Sequence, residues 1–124
     1  MYEESFRTPL IIRYPAKIKA GSECTALVQN IDYAPTYLDI AGIEKPDYMV
    51  GTSLVPLFGG ETPKDWREYL YYHYYDYPAI HMVRRHDGVR DSRYKLIHFY
   101  GEKNEHNDAI SCNELYDLQS DPNE

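Results

Sequence analysis

Between Tyr69 and Tyr100 the chain reads YLYYHYYDYPAIHMVRRHDGVRDSRYKLIHFY, a run crowded with rings and β-branched residues. Such side chains pack best on a pleated surface, so this stretch predicts a sheet. Two layouts fit it. Asp87-Gly88 is a two-residue hairpin signal that would fold His81–His86 back on the residues from Val89 onward. The rival keeps Met82–Arg90 as one strand, turns at Asp91-Ser92-Arg93 and returns over Tyr94–Tyr100. On that return strand the period of two puts Tyr94, Leu96 and His98 on one face and Lys95, Ile97 and Phe99 on the other. The residues alone leave both layouts open.

Elsewhere the pattern changes. Pro9–Pro15, PLIIRYP, is a short continuous apolar run bracketed by prolines, the pattern of a buried parallel strand or of a strand at a sheet boundary. Such a strand needs parallel neighbours that this sequence does not supply, so part of its sheet is expected outside the chain. From Ala26 to Ala41, apolar residues at Leu27, Ile31, Ala34, Tyr37, Leu38 and Ala41 follow helical spacing. They predict a helix over Ile31–Ala41, with Asn30 as N-cap, Pro35 in its first turn and Gly42 closing it. Gly51–Phe58 predicts one short helical turn capped by Thr52 or Ser53, and Gly101–Asn113 reads as a polar loop. ELYDL at Glu114–Leu118 predicts a last short strand. Asp121-Pro122-Asn123-Glu124 then has the cap, first-turn proline and acidic third residue of a helix opening. Both ends thus read as cut from a larger fold.

Charge changes this picture locally. The chain has 124 residues and a net charge of −7, but His81–Lys95 carries Arg84, Arg85, Arg90, Arg93 and Lys95 against Asp87 and Asp91. A positive island on an acidic background suits a small anionic ligand and disfavours nucleic acid. No apolar run reaches the ~18 residues of a membrane span, and the opening Met-Tyr-Glu-Glu-Ser has no signal-peptide character. Cys24 and Cys112 stand apart without metal-ligand spacing and read as two ordinary thiols. No phosphate-binding, nucleophile-elbow or helical metal motif occurs, no serine or cysteine has a basic neighbour at an activating spacing, and no two histidines are four apart on the predicted helix. The bland reading of the histidines and arginines is a solvated strand face, and of the tyrosine run sheet packing, with a sugar platform as its functional rival.

Five blocks in order carry a resemblance: MYEESFRTPLIIRYP, NIDYAPTYLDIAG, GTSLVPLFGG, GVRDSRYKLIHFY and ELYDLQSDPNE. Together, over essentially the whole chain, they resemble the C-terminal part of type I, formylglycine-dependent sulfatases, and most of all carbohydrate sulfatases of the N-acetylglucosamine-6-sulfatase and N-sulfoglucosamine sulfohydrolase kind. The resemblance implies an α/β, alkaline-phosphatase-like fold, α+β within this portion. Residues 1–64 would close the large α/β domain, and residues 65–124 would form a C-terminal subdomain with a small four-stranded antiparallel sheet, a further helix following Glu124. It also favours the turn at Asp91-Ser92-Arg93.

The same resemblance implies what lies elsewhere. The formylglycine forms in a Cys/Ser-x-Pro/Ala-x-Arg motif, whereas Cys24 is followed by Thr-Ala-Leu-Val and Cys112 by Asn-Glu-Leu-Tyr. The formylglycine, the calcium-binding Asp and Asn residues and a sulfate-contacting lysine are therefore expected before Met1, and this chain alone is expected to be inactive. Its implied role is a wall of the substrate cleft, with His81 and His86 as the candidate substrate-binding residues, meeting sugar hydroxyls or a sulfated neighbour. The implied partners are a sulfated carbohydrate and the N-terminal catalytic part of the same protein, in a periplasmic or secreted setting. Two rivals stand beside this reading: a phosphodiesterase or phosphatase-like relative in the same superfamily, and a non-catalytic module whose basic face holds an anionic glycan.

Overall fold

A computed structural model describes residues 1–103 and 109–124. The chain divides into two compact units, Met1–Pro9 with Glu68–Glu124, and Leu10–Arg67. The first nine residues therefore group with the sheet.

In the first unit the predicted sheet forms. Strands β1 (Leu70–Tyr74), β2 (His86–Arg90), β3 (Tyr94–Lys103) and β4 (Ala109–Asp117) make an antiparallel meander in that order. The turn between β2 and β3 falls at Asp91-Ser92-Arg93, not at Asp87-Gly88, which lies inside β2. Asp91 explains the choice: its Oδ1 accepts the backbone N–H groups of Arg93 and Tyr94, both at 2.6 Å. The alternation on β3 is as expected, with Lys95 and Ile97 fully buried and Tyr94 and Leu96 about 40% exposed.

Three sequence expectations are corrected here. β2 starts at His86, not Met82, because a turn over Ala79–Met82 with Met82 at φ 49° ends any extended run before it. The loop expected over Gly101–Asn113 is largely strand, since β3 runs on to Lys103 and β4 begins at Ala109; residues 104–108 lie outside the described residues. Ser111, Cys112 and Asn113 on β4 are exposed. The helix opening expected at Asp121 is a turn whose last residue, Glu124, has φ 61° and a buried side chain.

One side of the sheet is covered by a short helix, α1 (Glu3–Phe6), and the residues around it. The Phe6 ring sits 4.6 Å from that of Tyr72, and Tyr2 meets Tyr116 edge to face at 6.1 Å. Gly88 is required beneath this layer, because a Cβ there would come within 2.6 Å of the Tyr72 ring. Glu3 enters with its charge and finds Arg90 at 2.7 Å and Lys95 at 3.3 Å. Lys95 Nζ also pairs with Glu124 Oε1 at 2.8 Å, near enough for an ion pair though not aligned as a hydrogen bond, while Glu124 Oε2 accepts the Glu3 N–H.

The second unit has a 3-10 turn at Asn30–Asp32 running into helix α2 (Tyr33–Ile40), and a second 3-10 turn at Val55–Leu57. Leu54, Leu57 and Phe58 form its core, with Tyr14, Ile18, Val28 and Trp66 against them. The helix is where the spacing put it and Gly42 follows at φ 69°, but its cap is not Asn30. Gln29 and Asp32 cap each other in a capping box, and buried Asp32 also accepts Thr52 N–H and a two-pronged bond from Arg67 at 2.7 Å per prong. Neither Thr52 nor Ser53 is the N-cap of the second turn, which is Leu54, although Ser53 Oγ accepts the Val55 N–H. The expected apolar face is only partly covered, with Ile31 and Tyr37 exposed. Pro9–Pro15 forms no strand, having no neighbours to complete a ladder, and Ile11 is 89% exposed.

Candidate functional site

The basic, histidine-bearing stretch becomes two different things once folded. Its first part, Tyr75–Arg85, is the connection between β1 and β2, and its second part is β2 and β3 themselves. His81 lies in the turn of that connection and is exposed, next to Ile80 at 97% exposure. His86 is the first residue of β2 and fully buried. The fold does not bring the two together on one face.

The surroundings of His86 fix its chemistry. Its ring stacks on Tyr74 at 5.2 Å and packs against Phe99 and Tyr72. Nδ1 is 2.7 Å from the Arg84 carbonyl, which can only accept, so Nδ1 carries the proton. Nε2 is then bare and accepts from the Met1 nitrogen at 2.7 Å. Burial lowers its pKa, partly offset by the bond to the Arg84 carbonyl, and keeps the imidazole neutral. The enclosed ring thus has both nitrogens engaged by the chain itself.

Most of the positive island is likewise engaged. Arg90 and Lys95 pair with Glu3, Lys95 also with Glu124, and Arg93 grips Asp117 through two bonds at 3.0 and 2.7 Å. Arg85 turns back on its own loop, Nε to the Tyr75 carbonyl at 3.2 Å and Nη2 to the Tyr77 carbonyl at 2.8 Å. Arg84 is exposed and has no ion-pair partner among the described residues. The side chains left to meet an anion are therefore Arg84 and, three residues before it on the same loop, His81. Sequence reasoning gave all five cations equal standing, because the acids that neutralise Lys95 are distant in the chain.

The tyrosine run splits by face. Tyr72 and Tyr74 pack inward, while Tyr71 and His73 lie outward, where Tyr100 Oη meets His73 Nε2 at 2.5 Å. On that outer face His98 lies between Asp87, 3.2 Å from Nδ1, and Ser111, 3.3 Å from Nε2. This juxtaposition spans three strands and has no sequence spacing to betray it. With His98 44% and Asp87 31% exposed, water competes for each bond, and the three groups act as surface hydrogen bonding. Among the described residues no group of three His, Cys, Asp or Glu could hold a metal ion, and both cysteines are free and exposed. No helix there is long and apolar enough to cross a membrane.

The chain belongs to the family described as N-sulphoglucosamine sulphohydrolase, C-terminal, which it matches over residues 1–124. It is 52% identical over 126 residues to an N-acetylglucosamine-6-O-sulfatase of Bacteroides thetaiotaomicron, covering 100% of this chain and 21% of that protein. Among solved structures it is similar to BT4656 in complex with its substrate D-glucosamine-2-N,6-O-disulfate, with a TM-score of 0.82, 51% identity, and coverage of 90% of this chain and 22% of that one. It is also similar to a phosphonate monoester hydrolase from Silicibacter pomeroyi, with a TM-score of 0.58, 29% identity, and coverage of 77% and 20%. The fold is thus the alkaline-phosphatase-like fold of sulfatases, and the chain spans about a fifth of the length of these relatives.

Proposed function

We propose that the chain is the C-terminal part of a sulfatase acting on sulfated glucosamine within glycans, and that it forms a wall of the substrate cleft. The observation carrying this is the likeness over 90% of the chain to a structure holding a disulfated glucosamine. The formylglycine and its metal, calcium by resemblance, belong to the part of the protein beyond this chain. Neither cysteine has the required motif, and the described residues offer no metal cluster, so no step of the reaction is assigned to them.

On this wall His81 meets the substrate directly and Arg84 supplies a counter-charge to a sulfate or carboxylate. His86 serves the same loop from beneath, through its bond to the Arg84 carbonyl. Losing one hydrogen bond between a polar side chain and a charged ligand costs ~1.5–3 kcal/mol, so His81→Ala in the full-length protein is expected to lower kcat/KM on glucosamine 6-sulfate by about tenfold or more. Unchanged kcat/KM would remove His81 from the site. A second reading, a phosphonate or phosphate ester hydrolase, draws on the similarity to the phosphonate monoester hydrolase. Full-length protein that turns over a phosphate diester but no sulfated glucosamine would establish it.

A further inference from the structure

We infer that Arg85 is a positioning residue that holds the β1–β2 connection in the shape that presents His81 and Arg84. The proposal rests on the substrate-facing reading of that loop. The connection Tyr75–Arg85 has few internal bonds of its own: Tyr77 N–H to the Tyr75 carbonyl at 3.0 Å and Met82 N–H to the Ala79 carbonyl at 2.9 Å. Its tip is open to water, with Ile80 97% and Met82 64% exposed, so apolar burial does little to order it.

Arg85 supplies the missing order from the base. One guanidinium spans two carbonyls on the opposite limb, those of Tyr75 and Tyr77, and thereby ties the end of the loop to its beginning. The arginine is itself anchored, because its carbonyl accepts the Tyr100 N–H of β3 at 3.0 Å. His86 braces the same limb one residue further on, through Nδ1 to the Arg84 carbonyl. Only a planar fork reaches two acceptors at fixed separation; a lysine ammonium has the charge without the geometry. Arg85 thus stands to His81 as a support, touching no substrate.

The test uses the full-length protein carrying Arg85→Met, with Arg85→Lys as the milder variant should the first fold poorly. Two readouts are taken together: amide hydrogen exchange across residues 76–84, and steady-state kinetics on glucosamine 6-sulfate beside His81→Ala. The expected result is faster exchange confined to 76–84, and a KM raised about tenfold with kcat nearly kept, since a disordered loop weakens binding rather than chemistry. Arg85→Lys should fall between. Unchanged exchange in both variants overturns the clamp. Faster exchange with unaltered KM, while His81→Ala is impaired, overturns the positioning role and leaves the cleft-wall reading standing. If neither His81→Ala nor the Arg85 variants alter kinetics, the cleft-wall reading fails and takes the inference with it.

Discussion

Replacing Lys95 by methionine tests the buried charges directly. The change keeps the length of the stem, which crosses the Phe6 ring at 5.4 Å from ammonium to centroid, and removes only the charge. Lys95 is fully buried, as is the Glu124 carboxylate that it meets at 2.8 Å. Glu3 keeps Arg90 at 2.7 Å after the substitution, so the loss falls on Glu124, left with a single backbone donor from Glu3. Breaking a buried pair by removing one partner costs ~3–5 kcal/mol, and the surviving bonds put this case near the lower end, about 3 kcal/mol. In urea unfolding of the full-length protein, with a slope of ~2 kcal/mol/M for the transition of this unit, that is a midpoint lowered by about 1.5 M. Adding Glu124→Gln to Lys95→Met removes the stranded charge and should restore all but about 1 kcal/mol. The reasoning is refuted if Lys95→Met costs less than about 1 kcal/mol, or if the double variant is no more stable than the single one.

Two further predictions concern other parts of the chain. Gly51→Ala would place a Cβ 2.0 Å from the Ile31 carbonyl oxygen, a backbone atom that cannot swing aside, so the expected cost is about 4 kcal/mol or more, seen as loss of soluble full-length protein or a collapse of its thermal midpoint. The turn between β2 and β3 should loosen only in strong acid. The Arg93 fork holds Asp117 at about 2, and the Tyr94 and Arg93 N–H groups hold Asp91 below its usual range. A depressed carboxylate stabilises the fold above its unfolded value of 3.8 and loses that contribution as pH falls through the folded value. Amide protection at Arg93 and Tyr94, corrected for intrinsic exchange, should therefore hold from pH 6 to 4 and fall between 4 and 2; loss already near pH 6 would show that these carboxylates do not hold the turn.

What the sequence disclosed follows the range of the interactions involved. The in-and-out alternation of Tyr94–Phe99 is local and was legible, whereas the residues left the turns at Asp91 and at Asp87-Gly88 both open and only the family resemblance favoured Asp91. Helix α2 was legible by its spacing, yet its cap was misjudged, since Asp32 draws on Thr52 and Arg67 as well as on its neighbour Gln29. His86 looked like a ligand residue because a histidine among arginines on a strand is ordinarily solvated. Nothing nearby in the chain announces that Met1 and Phe99 enclose it. Lys95 was read as part of an anion-binding island for the same reason, its partner Glu3 lying 92 positions away. The apolar run at Leu10–Ile12 reads as a strand whose partners are expected outside the chain, and no ladder within the chain receives it.

The seating of Met1–Phe6 against the sheet has a consequence for synthesis. That segment leaves the ribosome well before its ring and charge partners, Tyr72, Arg90, Lys95 and Tyr116. The Leu10–Arg67 unit, compact by itself, emerges in between and is free to fold while the segment waits. The sheet unit is therefore a structure of high contact order despite its simple hairpin path, because the residues that cover the sheet are separated from its strands by the whole length of Leu10–Arg67. Closure entropy grows only slowly with the length enclosed, so the delay bears on rate far more than on final stability. Throughout that interval Tyr2 and Phe6 lack the sheet rings that later cover them, which makes this segment a natural point of capture for a chaperone.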